Sequence, residues 1–169
     1  MGRVADFRFQ GVHINKSLSW SVYTSELLKK AQERLYFLRI LKRNNIAQRQ
    51  LVSFYRTSIE SILTYCMCAW YSSCTVAHRK ALQEVINNAQ KIVGSPLPTL
   101  EELHSSRCLK KARNIIKDTH HPGLCELLPP GRRYRSVNRR TKRPKHSFYP
   151  PAITTLNAAK NNKDVPYGI

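Results

Sequence analysis

Between Ser21 and Arg43, in SVYTSELLKKAQERLYFLRILKR, the apolar residues Leu27, Leu28, Ala31, Leu35, Leu38 and Leu41 recur at three- and four-residue spacing. That spacing predicts an amphipathic helix with a single apolar stripe. Lys29, Lys30, Arg34, Arg39, Lys42 and Arg43 fall mostly off the stripe, against only Glu26 and Glu33, so the outer face should carry a strong positive field. Upstream, Phe7, Phe9, Val12 and Ile14 in DFRFQGVHIN alternate or cluster as short strands do, with Gly11 marking a bulge or a close approach. KSLSWS reads as a turn, Ser21 or Thr24 is placed to cap the helix, and Asn44-Asn45 should stop it.

A second helix is predicted from Ala47, carrying Leu51, Phe54, Tyr55, Ile59, Ile62 and Leu63 toward Tyr65, Met67 and Trp70. Its apolar face is wide enough for two neighbours. Thr75 can cap a third helix with the stripe Leu82, Val85, Ile86, Ala89, Ile92 and Val93, ended by Gly94 and Pro96. Thr99 and Glu102 form a T-x-x-E capping box that opens a fourth helix with Leu100, Leu103, Leu109, Ala112, Ile115 and Ile116, closing at His121-Pro122-Gly123. Lys110, Lys111, Arg113 and Lys117 make that helix basic as well. The helices should meet at Leu35, Leu38, Phe54, Ile62, Leu82, Ile86 and Ile115.

Beyond Gly123 the periodicity is lost. Arg132, Arg133, Arg135, Arg139, Arg140, Lys142, Arg143 and Lys145 follow with no acidic residue among them. Such a run repels itself and has no apolar period, so it reads as an extended, partly disordered arm. Phe148, Tyr149, Pro150 and Pro151 can anchor its far end, followed by a short helix from Ala152 to Ala159. The expected fold is mainly α: a short N-terminal β element and turn over 1–20, a bundle of about four helices over 21–128, and a basic arm with a short terminal helix over 129–169.

Composition sharpens this picture. One core is expected from 169 residues with 41% hydrophobic content. A formal net charge of +19 exceeds what solubility needs, and its simplest physical use is a polyanion, nucleic acid before an acidic membrane surface. No window is apolar for 18 residues, and MGRVADFRFQG has neither the apolar core of a signal peptide nor the residues of a myristoylation signal. The expectation is an intracellular, nuclear protein in a reducing compartment, with no membrane partner; RRTKRPK would also serve as a nuclear address.

Candidate chemistry is sparse. Cys66, Cys68, Cys74 and His78 invite a zinc site, but C-x-C-x5-C-x3-H matches none of the usual paired-ligand spacings, and Cys66 and Cys68 read better as small core residues on or near the second helix. His120-His121 reads as a solvated helix end. Asp6, Asp118 and Asp164 are widely separated, and two-metal phosphoryl chemistry needs paired carboxylates. No Gly-rich phosphate loop is present, and no Ser or Cys stands beside a positioned base. The expectation is no enzyme, no cofactor and no metal. Tyr134, set between arginines, would let the arm pair with phosphates and stack on an unpaired base.

The order of these segments also carries a resemblance. FRFQGVHINKSLSWSVYTSELLKKAQERLYFLRIL, LVSFYRTSIESILTYCMCAWYSSCTVAHRKALQEVINNAQKIVG, RCLKKARNIIKDTHHP, GRRYRS and SFYPPAI closely resemble the carboxy-terminal part of the reverse transcriptase of LINE-type (non-LTR) retrotransposons common in fish genomes. The resemblance covers nearly the whole chain. It implies that the segment around Phe9, Gly11 and Val12 is the end of a palm and that the helices are the thumb and its extension. The family's Phe/Tyr-Ala-Asp-Asp box does not occur here, so polymerase activity is not implied. The methionine just before this region would fit a truncated copy of such an element. Residues 7–43 also resemble the short amino-terminal domain of an AlkB-homologue tRNA-modifying protein. That likeness would imply dioxygenase or methyltransferase activity, yet the two-His-one-carboxylate triad and the Gly-rich nucleotide turn those reactions need are both missing.

These readings combine into a non-catalytic module that contacts the phosphate backbone of RNA or DNA with little sequence preference. The expected contacts are Lys29, Lys30 and Arg34 on the first helix, Lys110, Lys111 and Arg113 on the fourth, and Arg132, Arg133, Tyr134, Arg135, Arg139, Arg140, Lys142 and Arg143 in the arm. The alternatives are the AlkB-homologue activity and an orphan interaction module that self-associates through exposed apolar helix faces without binding nucleic acid.

Overall fold

A computed structural model describes residues 6–9, 12–15, 20–118, 133–135 and 148–161. The fold is mainly helical. It divides into two compact units, Met1–Leu103 and His104–Ile169, and the division falls inside a helix. The boundary expected at 128/129 lies outside the described residues.

The first unit begins with a hairpin. Strand β1 (Asp6–Phe9) pairs antiparallel with β2 (Val12–Asn15) in the register Asp6–Asn15, Phe7–Ile14, Arg8–His13 and Phe9–Val12. Helix α1 runs Ser21–Arg43. It is not capped by Ser21 or Thr24: Trp20 holds the cap position with no side-chain bond. Thr24 lies inside the first turn, fully buried, donating back to the Trp20 carbonyl at 2.8 Å and meeting His78 Nδ1 at 2.8 Å. Its hydroxyl is therefore committed to the neighbouring helix rather than to a free amide. The far end follows the expectation, with Asn44 as the cap and Asn45 at φ 55°.

The segment after Ala47 departs from the single helix expected. Helix α2 (Gln48–Phe54) passes into a π-helical segment at Tyr55–Glu60 and on into α3 (Ser61–Thr64). Leu51, Tyr55, Ile59 and Leu63 are spaced by four and all fully buried. At 3.6 residues per turn a four-residue row drifts about 40° per step; the wider π turn takes up the drift and holds the row on one face. Side chains bond carbonyls in and around this segment. Thr57 Oγ1 donates to Ser53 at 2.9 Å, Thr64 Oγ1 to Glu60 at 2.9 Å, and the Arg34 guanidinium to the Ser58 carbonyl. At Tyr65 the chain becomes extended and Cys66 turns left-handed at φ 49°, before α4 (Met67–Trp70) and a 3-10 turn at Tyr71–Ser73.

Helix α5 (Val76–Val93) is capped by Thr75, whose hydroxyl accepts from the His78 amide, and ends at Gly94 with φ 71°. Gln48 Nε2 donates to the Gly94 carbonyl at 2.8 Å, tying the start of α2 to the end of α5. Helix α1 packs against α5 and against the α2–π–α3 run, and α2 also meets α5. Their shared core holds Leu27, Ala31, Leu35 and Leu38 from α1, Leu82, Val85, Ile86 and Ala89 from α5, and Met67 and Trp70 from α4.

Helix α6 spans Leu100–Lys117. Its capping box forms as expected: the Thr99 amide and hydroxyl donate to Glu102 Oε2 at 2.8 and 2.9 Å, and the Glu102 amide donates to Thr99 Oγ1 at 3.2 Å. Those bonds to the charged form, the backbone amide first, hold the Glu102 carboxyl below its ordinary value. The expected close at 121–123 lies outside the described residues.

In the second unit, Ala112 of α6, Tyr134, and Ala152, Ile153 and Leu156 of α7 (Tyr149–Asn161) form a small core, with Leu109 and Phe148 against it. Pro150 and Pro151 sit in the first turn of α7, where a missing N–H removes no helical bond. The Tyr134 amide donates to Asn157 Oδ1 at 2.8 Å, and Asn157 Nδ2 donates back to the Tyr134 carbonyl at 3.2 Å.

Tyr55 is fully buried, and its hydroxyl has no hydrogen-bond partner among the described residues. Burial, with the Glu60 charge adding to it, pushes this phenol well above the ordinary range. Tyr55→Phe keeps the ring and removes the unpaired group. It should leave stability unchanged or raise it by up to about 1 kcal/mol, a melting shift of several degrees for a unit of this size. A fall in melting temperature of that size would show that the hydroxyl is paired.

Candidate nucleic-acid interface

The apolar stripe of α1 faces α5 and the α2–π–α3 run, and this decides where its cations go. Lys29, Lys30, Arg39, Lys42 and Arg43 are all exposed. Arg34 is half-buried and donates to Ser58, so part of its guanidinium is used inside the fold. At 100° per residue, Lys29, Tyr36 and Arg43 share one row along the outer face, and Lys30 and Phe37 share the next. Tyr36 is 56% and Phe37 54% exposed, and their rings meet edge-on with centroids 6.0 Å apart. The sequence reading passed over these two aromatics, although they sit on the opposite side of the helix from Leu35 and Leu38.

On α6, Cys108, Ala112 and Ile115 are buried while Arg107, Lys110, Lys111, Arg113 and Lys117 are exposed. Lys111 Nζ stands 4.7 Å from the centroid of the Phe148 ring, a cation–π contact that fastens the start of α7. Arg133 and Arg135 are exposed on either side of Tyr134. Tyr134 is a correction to the sequence reading: at 8% exposure it belongs to the second unit's core and presents no free face to a base. An alternating exposed-buried-exposed triplet beside a helix turns its middle side chain inward. Arg132, Arg139, Arg140, Lys142 and Arg143 lie outside the described residues.

The cysteines also differ from expectation. Cys66 is exposed at the left-handed bend and Cys68 half-buried, while Cys74 and Cys108 are buried. Cys66 and Cys68 are not core residues because the helix that would have turned them inward breaks at Tyr65. Among the described residues no group of three or more His, Cys, Asp or Glu side chains is gathered as a metal would need. Cys108 Sγ lies 3.2 Å from His104 Nε2, four residues apart on α6. Both are buried, and a nucleophilic thiol has to be reached by its substrate.

Beside α1 lies a cavity of about 260 Å3 lined by Tyr23, Glu26, Leu27, Lys30, Ile62 and Tyr65. Burial, with Cys66 and Tyr65 adding to it, pushes the Tyr23 phenol up to about 12, so it stays a neutral donor, 3.4 Å from the Tyr65 carbonyl. Among the described residues no helix is long and apolar enough to cross a membrane.

Residues 20–61, from Trp20 through α1, α2 and the π segment, match the family described as alkylated DNA repair protein alkB homolog 8, N-terminal. The match begins later and ends later than the 7–43 span expected from sequence. It covers 42 of the 169 residues, so it makes this segment similar to that family and leaves the rest of the chain unassigned. No curated protein and no solved structure matches the chain.

Proposed function

We propose that this protein is a non-catalytic nucleic-acid-binding module of retrotransposon reverse-transcriptase descent, acting within the cell, in the nucleus. It contacts the phosphate backbone through the basic faces of α1 and α6 and through the residues around Arg133 and Arg135. The observation that carries the reading is α6. Over the three turns from Arg107 to Lys117 its exposed positions hold five cations and no acid, above a buried Cys108–Ala112–Ile115 stripe. Cations on successive turns stand about 5 Å apart along the axis, and a helix face needs no more than charge and shape to follow a backbone. The net charge of +19 supports the same reading. The order of the sequence segments supports the descent.

The similarity of residues 20–61 to a family named for DNA repair favours a second reading. In it this segment belongs to a repair or modification protein and the chain takes part in dioxygenase or methyltransferase chemistry. Against a catalytic role here stands the sequence, which offers neither an iron triad nor a nucleotide turn.

The test is a titration of mixed-sequence RNA and DNA duplexes across salt concentration. Affinity should fall with a log–log slope of roughly 0.7–0.9 for each phosphate neutralised. The same preparation should neither extend a primer nor consume 2-oxoglutarate or S-adenosylmethionine above a heat-killed control. A flat salt response removes the binding reading, and turnover removes the non-catalytic one.

A further inference from the structure

The cavity beside α1 is built differently from the basic faces around it. Tyr23, Leu27, Ile62 and Tyr65 give it apolar and aromatic walls, and Glu26 and Lys30, one helical turn apart, stand at the same site. Its 260 Å3 is below the roughly 300–1,000 Å3 of sites for drug-sized ligands. A single planar ring system fits that volume. Tyr65 is 44% exposed and stands where α3 ends and the chain bends at Cys66, so part of it is open to an incoming ring. Lys29, next to Lys30, is exposed as well.

We propose that this cavity is a subsite for one unpaired nucleobase of a bound RNA or DNA strand. The ring packs against the tyrosines and the Leu27–Ile62 wall, and Lys30, with Lys29 beside it, holds a flanking phosphate. The Glu26 carboxylate accepts from an exocyclic amino group. Stacking of bases on aromatic side chains is tolerant of sequence, whereas a carboxylate acceptor favours cytosine, whose N4 donates, over uracil, whose O4 only accepts. A combination of aromatic surface, cation and acid suits a nucleotide, which carries a π face, a phosphate and a donor edge together. Phe37 follows Lys30 by seven residues, about 10 Å along the axis, and offers an exposed ring to the next base. This inference rests on the nucleic-acid reading above.

The experiment uses the full chain and four RNA hairpins followed by fluorescence anisotropy at low salt. One hairpin has an unbroken stem, one a single bulged cytosine, one a bulged uracil, and one an abasic residue in place of the bulged base. The bulged cytosine should bind roughly ten-fold more tightly than the abasic probe, the scale on which a single stacked base contributes. A bulged uracil should fall between them. Tyr65→Ala should bring the cytosine-to-abasic ratio close to one, and Glu26→Gln should bring cytosine and uracil together. The Tyr65 carbonyl that accepts from Trp70 Nε1 belongs to the backbone and survives the first substitution. Equal binding of the cytosine and abasic probes, with the unbroken stem still bound, overturns the subsite and leaves the backbone reading standing; a cavity that takes a protein side chain would give that result. Failure of all four probes to bind overturns both.

Discussion

Trp70→Ala will cost the first unit about 3–5 kcal/mol, the range for truncating a buried aromatic in a core that cannot collapse around the gap. Trp70 is fully buried, with Tyr23 and Tyr71 centroids at 6.2 and 6.0 Å. Its indole Nε1–H donates to the Tyr65 carbonyl at 2.9 Å. That bond crosses the bend between α3 and α4, so the substitution removes the packing and the strut of the bend together. Domains of this size are stable by only about 5–15 kcal/mol, and urea unfolding followed by circular dichroism should show the midpoint falling steeply. Trp70→Phe should recover most of the packing and lose about 1 kcal/mol for the missing hydrogen bond. A loss under about 1 kcal/mol for Trp70→Ala would mean that Trp70 does not organise this core.

The second large effect should fall on binding and leave the fold alone. Replacing Lys110, Arg113 and Lys117 with Gln removes three cations from the exposed face of α6 and touches none of its buried residues. The slope of log affinity against log salt should drop by roughly 2–3 if each side chain meets one phosphate, which makes the loss at low salt some hundredfold or more. Stability should stay within about 0.5 kcal/mol, as is usual for surface substitutions away from caps and networks. Lys111 is left in place because its contact with Phe148 would mix a packing loss into the result. An unchanged slope would move the contact to α1 or to the basic residues beyond α6, and a large stability loss would mean that these cations are paired within the fold.

The candidate interface was legible wherever periodicity alone decides exposure. Lys29 and Lys30 follow Leu27 and Leu28 and precede Ala31, so a helix must turn them away from the stripe, and both are exposed. Arg34 has the same composition around it, yet it donates to a carbonyl 24 residues later, in a π turn that no local pattern announces. Tyr134 reads as a stacking residue because its neighbours are arginines, and it is buried because Ala152, Ile153 and Leu156 of α7, 18 to 22 residues away, pack against it while Asn157 holds its backbone.

The sequence by itself determined both ends of α5 and the start of α6. Thr75, Gly94 and the Thr99–Glu102 pair act on amides and carbonyls within a few residues, and that chemistry is complete before any tertiary contact forms. It also determined the mainly helical character, because an apolar residue every three or four positions has one arrangement that buries it. Only the tertiary structure decided the π segment, the bend at Tyr65–Cys66 and the start of α1. In each, the deciding partner comes from elsewhere in the chain: α1 and α5 for the four-residue row, Trp70 for the bend, and His78 for Thr24. The backbone there accepts a geometry that local preference alone would not select, and in it Leu51, Tyr55, Ile59 and Leu63 are buried on one face, away from water.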